Sequence, residues 1–441
     1  MESTPSSPLL SPLEITGARL ACPSQSETTV AARALVRPNF WIVVFAALAL
    51  LIKVTIAFNT LGTNDVVAFY AFARSLADHG LAWTYQNGVV WFSGFPVFNH
   101  SPLVAYFLQL IDRLARQQFF LSYGLTFPLL LRLPGIIADF VVVLLLLHLR
   151  STITQLRIPN WALILFALSP VSLMVSGFHG NTDPVMVMLL LLSCVMCVKG
   201  RPLLCGLFLA LSVQIKIIPL LLFPIFFFFW STRRATWKFL VPFIAASLLC
   251  ALEPLLKFPT LYFKNVFSYG GYWGLWGITY WLRLTGYRGF DIVSFYHLPI
   301  WESIVIAILK ILIVAAVCTI AWRRRRLDGL GLIQSIAYVW IIFFVLSPGI
   351  GVQYLVWLAP FILVLSPALY GFLVAGSSLF LFFFYNVIAG GLPWYLGIST
   401  NKLNILWTPW SLWPWATLAI ALFVFQGKMR NLRPAMIPPA P

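Results

Sequence analysis

Residues 39–57 read NFWIVVFAALALLIKVTIA, an apolar run whose single charge is Lys53. As a helix rising 1.5 Å per residue, such a run is about 28 Å long, close to the thickness of a bilayer's hydrocarbon core. The rest of the chain is built in the same way. Hydrophobic residues make up 61% of it and charged residues 9%, with a mean hydropathy of +0.92, whereas soluble domains are about 25% charged. So few charges cannot cover apolar helices with a polar surface, so lipid must be the solvent. The expected fold is an all-α, polytopic transmembrane helical bundle of about 12 spans. They fall near 39–57, 132–149, 161–178, 184–198, 202–215, 217–230, 239–256, 301–322, 332–347, 354–369, 372–388 and 409–426.

The net charge of +17 would suit a nucleic-acid partner if it were clustered on one surface, but it is not. With a cytoplasmic N-terminus, alternate connections hold Arg33, Arg37, Arg150, Arg157, Lys199, Arg201, Arg233, Arg234, Lys238, Arg323 to Arg326, Lys428, Arg430 and Arg433. Short loops rich in Lys and Arg stay in the cytoplasm, so the excess charge is a topology signal and no nucleic acid is implied. Both termini are then cytoplasmic. Residues 1–38, rich in Ser, Pro and Thr, read as a disordered tail, 39–430 as the membrane domain and 431–441 as a second tail. No cysteine falls in an outer loop. Cys194 and Cys197, spaced as CxxC in an apolar run without a second pair, read as small buried hydrophobes.

Two outer connections are long, 58–131 and 257–300, with a shorter one at 389–408. In the first, Val66 to Asp78 reads as a helix capped by Thr63 or Asn64. Pro102 to Gln118 carries Leu103, Phe107, Leu110, Ile111 and Leu114 on one face and Gln109, Asp112, Arg113, Arg116 and Gln117 on the other, the pattern of an amphipathic helix lying in the membrane surface. No internal repeat is visible.

Polar residues collect at this outer face. Asp65 stands in GTND, His179, Asn181 and Asp183 in GFHGNTDP, Lys216 in VQIKIIP, and Gln353 and Tyr354 in SPGIGVQYLVW. Each has a plainer reading beside the functional one. Asp65 suits a helix cap, and Asp183 before Pro184 suits a helix start. His179 suits an interface. Lys216 suits snorkelling, although a charge near a helix centre costs about 2.5–3.5 kcal/mol and usually pairs or lines a cavity. Lys53 reads as a snorkelling lysine, and Lys310 and Asp139, at similar depth, as a structural pair.

Taken in order, these segments resemble the GT-C superfamily of membrane glycosyltransferases, which use polyprenyl- or dolichyl-phosphate sugars. The resemblance covers about residues 40–370. It rests on Asp65 early in the first outer loop, FNHSPLVAYFL, RLPGIIADF, HGNTDPVMVMLLLL, LSVQIKIIPLLLFP and VQYLVWLAPF. The last two are most similar to the first-mannose glycosylphosphatidylinositol mannosyltransferase and related bacterial mannosyltransferases. The order also resembles the glucosyltransferases of N-glycan assembly. Two positions depart from the pattern. Asp65 is followed by Val66 and Val67 rather than a second acid, and Gln214 stands where the first-mannose enzymes have a histidine ahead of Lys216.

The resemblance implies an inverting hexosyltransferase, with mannose the expected sugar, working in a bacterial plasma membrane in preference to the endoplasmic reticulum. The lipid-phosphate sugar is a co-substrate rather than a cofactor, and the acceptor is a glycan, lipid or protein hydroxyl. Asp65 would be the general base, and Lys216 would stabilise the leaving phosphate. His179, Asn181, Asp183, Gln353 and Tyr354 would bind substrate. No metal is expected, because the outer loops hold isolated acids rather than an acidic pair. Trp and Tyr residues in 262–287 would stack on sugar or form an interface belt. Two further classes are open: a multi-span transporter or flippase, which would place its charges near the midplane, and a non-catalytic assembly subunit.

Overall fold

The computed structural model describes residues 25–89, 97–267, 272–283, 293–294, 299–398 and 408–431. Met1–Trp41 forms one unit, of which the described part is the opening of the first helix, and Ile42–Pro441 forms the second. That helix runs from Gln25 to Asn59, so the expected disordered tail is helical from Gln25 onward. The physical reason is local: TVAARALVR at 29–37 is rich in strong helix formers. The rest of that tail, and the 432–441 part of the C-terminal one, lie outside the described residues.

The all-α bundle is present. Among the described residues eight helices are long and apolar enough to cross a membrane: Asn39–Asn59, Phe127–Thr152, Asn160–His179, Thr236–Lys257, Ile300–Arg323, Gly329–Leu346, Pro367–Ile388 and Thr408–Phe425. The other four expected spans exist as shorter apolar helices, Asp183–Val198, Pro202–Ile215, Ile218–Ser231 and Val352–Leu365. Three of these are short because a polar segment stops them at one end of the bundle. Asp183–Val198 starts there, with Pro in its first turn. Pro202–Ile215 ends there, where Lys216 turns extended at φ −152° and ψ 136°. Leu355–Leu365 follows a single 3-10 turn, Val352–Tyr354. Of the eight, Gly329–Leu346 is the most buried, 72% within the protein, against 22% for Thr236–Lys257, whose apolar surface faces outward.

The basic turns gather at the opposite end. There Thr232 Oγ1 donates to the Arg325 carbonyl at 3.0 Å, and Arg233 donates to the Leu327 carbonyl at 2.7 Å. Cys194, Cys197 and Cys205 are buried in the main core, as small hydrophobes should be.

Four expectations change. The surface helix is present as Pro102–Ala115, but it buries Val104, Ala105, Leu108, Ile111 and Asp112. Leu110 is turned outward, and Asp112 is taken inward because Arg74 and Arg116 meet its carboxylate at 3.6 and 3.0 Å. Lys53 does not snorkel: it donates to Asp139 at 2.6 Å from a buried position. Lys310 is exposed, and it is Lys53 that supplies the Asp139 ion pair. Of the aromatics in 262–287, Trp281 is exposed, as an interface residue would be, but Trp273 and Trp276 are not. Both are buried, Trp276 donating its indole N–H to the Phe344 carbonyl at 2.5 Å.

Candidate active site

Asp65 is placed by the two residues before it. Gly62–Thr63 forms a short parallel strand pair with Leu396–Gly397, and the Leu61 and Gly62 amides both donate to the Tyr395 carbonyl. Gly62 has φ +94°, and a Cβ there would come within 2.8 Å of the Phe178 carbonyl, so only glycine fits. The Thr63 hydroxyl donates to the His179 carbonyl at 2.9 Å and accepts from the Asp65 amide at 3.3 Å, capping helix Asn64–His79. Thr63 is therefore the cap, and the Asp65 carboxylate is left for other partners.

Those partners are His179 and Asn181. Asp65 Oδ2 meets His179 Nε2 at 3.0 Å and accepts from Asn181 Nδ2 at 2.9 Å. A carboxylate only accepts, so Nε2 is the donor. The other ring nitrogen, Nδ1, lies 3.0 Å from the Tyr385 hydroxyl. Asn181 also links to the next acid, because its Oδ1 accepts from the Asp183 amide at 3.2 Å. Among the described residues Asp65 Oδ1 accepts nothing, and the side chain is 28% exposed.

The second pair lies alongside. Lys216 Nζ donates to Asp183 Oδ1 at 2.7 Å. It sits 4.4 Å above the Tyr354 ring and 4.9 Å from that of Trp357, and these two rings stack at 3.9 Å. The break in the helix is what frees Lys216 for this position. Ser101 helps hold the break by donating to the Gln214 carbonyl. Asp183 is fully buried at the N-terminus of its helix, where an anion is favoured.

Burial is the largest single influence on Asp65 and raises its pKa. His179, Lys216 and Asn181 together outweigh it and hold the carboxyl below the ordinary carboxylate range. His100 moves the other way. Burial first, then Lys216, bring it down to about 4 against the pull of Asp65 and the Ile215 carbonyl, so its ring is neutral at pH 7.

The structure thus brings Asp65, His179, Asn181, Asp183, Lys216 and Tyr354 into one cluster. Gln353 is buried in the same turn as Tyr354 but, among the described residues, makes no hydrogen bond to the cluster, and its amide folds toward Gly351. Asp183, expected to bind substrate, holds Lys216 through Oδ1, while its Oδ2 has no hydrogen-bond partner among the described residues. Sequence reasoning did not single out Tyr385, Trp357 or His100. Tyr385 sits in FFFYNVIAGG, where it is indistinguishable by pattern from core aromatics. Trp357 and His100 carry a signal only as members of VQYLVWLAPF and FNHSPLVAYFL.

Residues 119–348, more than half of the chain, match glycosyltransferase family 87. The chain belongs to that family and is a membrane glycosyltransferase. The matched region includes His179, Asn181, Asp183 and Lys216, while Asp65 and Tyr385 lie outside it. No curated protein matches the chain.

Proposed function

We propose that this glycosyltransferase moves a hexose, mannose foremost, from a polyprenyl-phosphate sugar to an acceptor hydroxyl, in one displacement that inverts the anomeric centre. The observation that carries the reading is Asp65. One oxygen is fixed by His179 and Asn181, and the other is unengaged and reachable, close enough to Lys216 for the lysine to lower its pKa. A hydroxyl held on Oδ1 would give up its proton as it attacks. A carboxylate this weakly basic suits an attack in which the hydroxyl turns acidic only as the new bond forms. Lys216 would meet the negative charge that grows on the departing phosphate. Its charge is already shared with Asp183, which favours a singly charged phosphodiester over a diphosphate. Asp183, fully buried and paired, makes a poor alternative base.

The same donors argue that no divalent cation is needed, since Asp65 Oδ2 and Asp183 Oδ1 are occupied by protein groups. The topology in which the basic turns face the cytoplasm puts the site on the outer face, where lipid-phosphate sugars would be used.

The test is transfer by purified protein in lipid nanodiscs, with radiolabelled polyprenyl-phosphate mannose, polyprenyl-phosphate glucose and a nucleotide sugar as parallel donors. Transfer from a lipid-phosphate sugar with inverted stereochemistry, unaffected by EDTA, supports the reading. Transfer only from the nucleotide sugar, or vesicle uptake without transfer, overturns it.

A further inference from the structure

His179 is delivered to Asp65 by an unusual piece of backbone. Leu173–His179 is a π-helical turn, closed by the Gly180 amide donating to the Val175 carbonyl at 3.2 Å. A π-turn carries one more residue than an α-turn, so relaxing it would swing the side chains beyond it by about one residue's rotation, roughly 100°. Such turns persist where their surroundings hold them, and here the holding groups are identifiable.

On one side, Arg132 donates to the Gly177 carbonyl at 3.0 Å, while its other nitrogens take Pro128, Thr60 and Ala57. On the other side, Asp139 Oδ2 accepts from Ser172 at 2.6 Å and from Ser176 at 2.5 Å, one residue before the turn and in its middle. Lys53 Nζ donates to the same oxygen at 2.6 Å and to Ser172 Oγ at 2.6 Å.

An ion pair inside apolar spans is costly, and replacing such a pair by apolar residues is often neutral or stabilising. Stability alone is therefore a weak reason for it. Nor is it bonded to any member of the Asp65 cluster.

We propose that the Lys53–Asp139 pair, acting through Ser172 and Ser176, is a positioning device that holds the π-turn and so aims His179 at Asp65. The inference rests on the reading of Asp65 as the catalytic acid–base group, but its physical core, the tether on the turn, stands apart from any activity. The two hydroxyls transmit the device's grip, so they are the place to cut it.

The variant is Ser172→Ala/Ser176→Ala, which leaves the ion pair and the cluster in place. Two measurements apply to it. Hydrogen–deuterium exchange over 173–180 should quicken, whereas unchanged exchange would overturn the proposal whether or not transfer is detected. In the transfer assay kcat should fall about tenfold or more with the donor KM within about twofold, as for a misaimed group. In a His179→Ala background the serine substitutions should then add nothing. A further drop of the same size there would mean that the serines act independently of His179 and would overturn it. A wild-type protein that transfers no sugar would sink the proposed function, and the exchange result would still decide the tether.

Discussion

Asp139 and Asp65 both sit in polar clusters within this apolar protein, and they are finished differently. Asp139 lies among the spans with one oxygen taking Lys53, Ser172 and Ser176, all on the protein's own side chains. Asp65 lies at the bundle's end with one oxygen taking two donors and the other taking none among the described residues. Both are charges kept from water, which requires partners. The difference lies in what holds them: Asp139 Oδ2 is bonded to the buried Lys53, whereas Asp65 Oδ2 is bonded to His179 and Asn181, and the Asp65 side chain is the more exposed, 28% against 18%. The more open acid, with no lysine bonded to it, is the better placed of the two to meet a substrate.

The sharpest way to break this contrast is to remove each acid. Asp139→Leu should lower folding stability by about 3–5 kcal/mol, because Lys53 is left charged and buried. The thermal midpoint in detergent should drop, and Lys53→Met/Asp139→Leu should recover much of it. A midpoint unchanged in the single variant would mean that the pair does not bear on stability. Asp65→Asn should do the reverse, leaving the midpoint close to wild type while transfer slows at least about a hundredfold. Transfer near the wild-type rate would return Asp65 to a structural role.

Lys216 falls between the two. From sequence alone its removal would be expected to spare folding, but the structure changes that expectation, since Lys216→Ala orphans the fully buried Asp183. Lys216→Ala should therefore lose expression as well as activity, whereas Lys216→Met/Asp183→Asn should fold and still transfer about tenfold or more slowly. If that double variant transfers normally, the lysine's charge is not needed by the donor. The smallest effect concerns His100. Its folded pKa, about 4, lies below the ordinary value of about 6.5. Between those values the unfolded chain binds more protons, so its contribution is fully present above about pH 6.5 and is lost as pH falls toward 4. His100→Asn should flatten the fall in thermal midpoint across that window, and an unchanged slope would mean another group sets it.

The bundle was legible because lipid imposes length and hydropathy on every span, and runs such as 39–57 satisfy both without help from packing. The four short helices were legible as short apolar segments, 184–198, 202–215 and 217–230 falling almost on Asp183–Val198, Pro202–Ile215 and Ile218–Ser231; what was not legible is that three of them stop where Asp183, Lys216 and Tyr354 meet. The candidate site was readable where polar residues interrupt apolar sequence, as in GFHGNTDP. It was not readable at Tyr385 or Trp357, since an aromatic inside an aromatic run carries no pattern of its own. Nor was the partner of Asp139, for Lys53 stands 86 positions away and only the folded chain decides between it and Lys310.

The parallel pairing of Gly62–Thr63 with Leu396–Gly397 has a consequence for biosynthesis. Asp65 leaves the ribosome well before the strand that clips its loop down, and before Tyr385 behind His179. Until they arrive, the loop bearing Asp65 waits without its clip, and the candidate site is incomplete. A nascent chain arrested after the helix Leu355–Leu365 but before residue 385 should insert its earlier spans and remain inert.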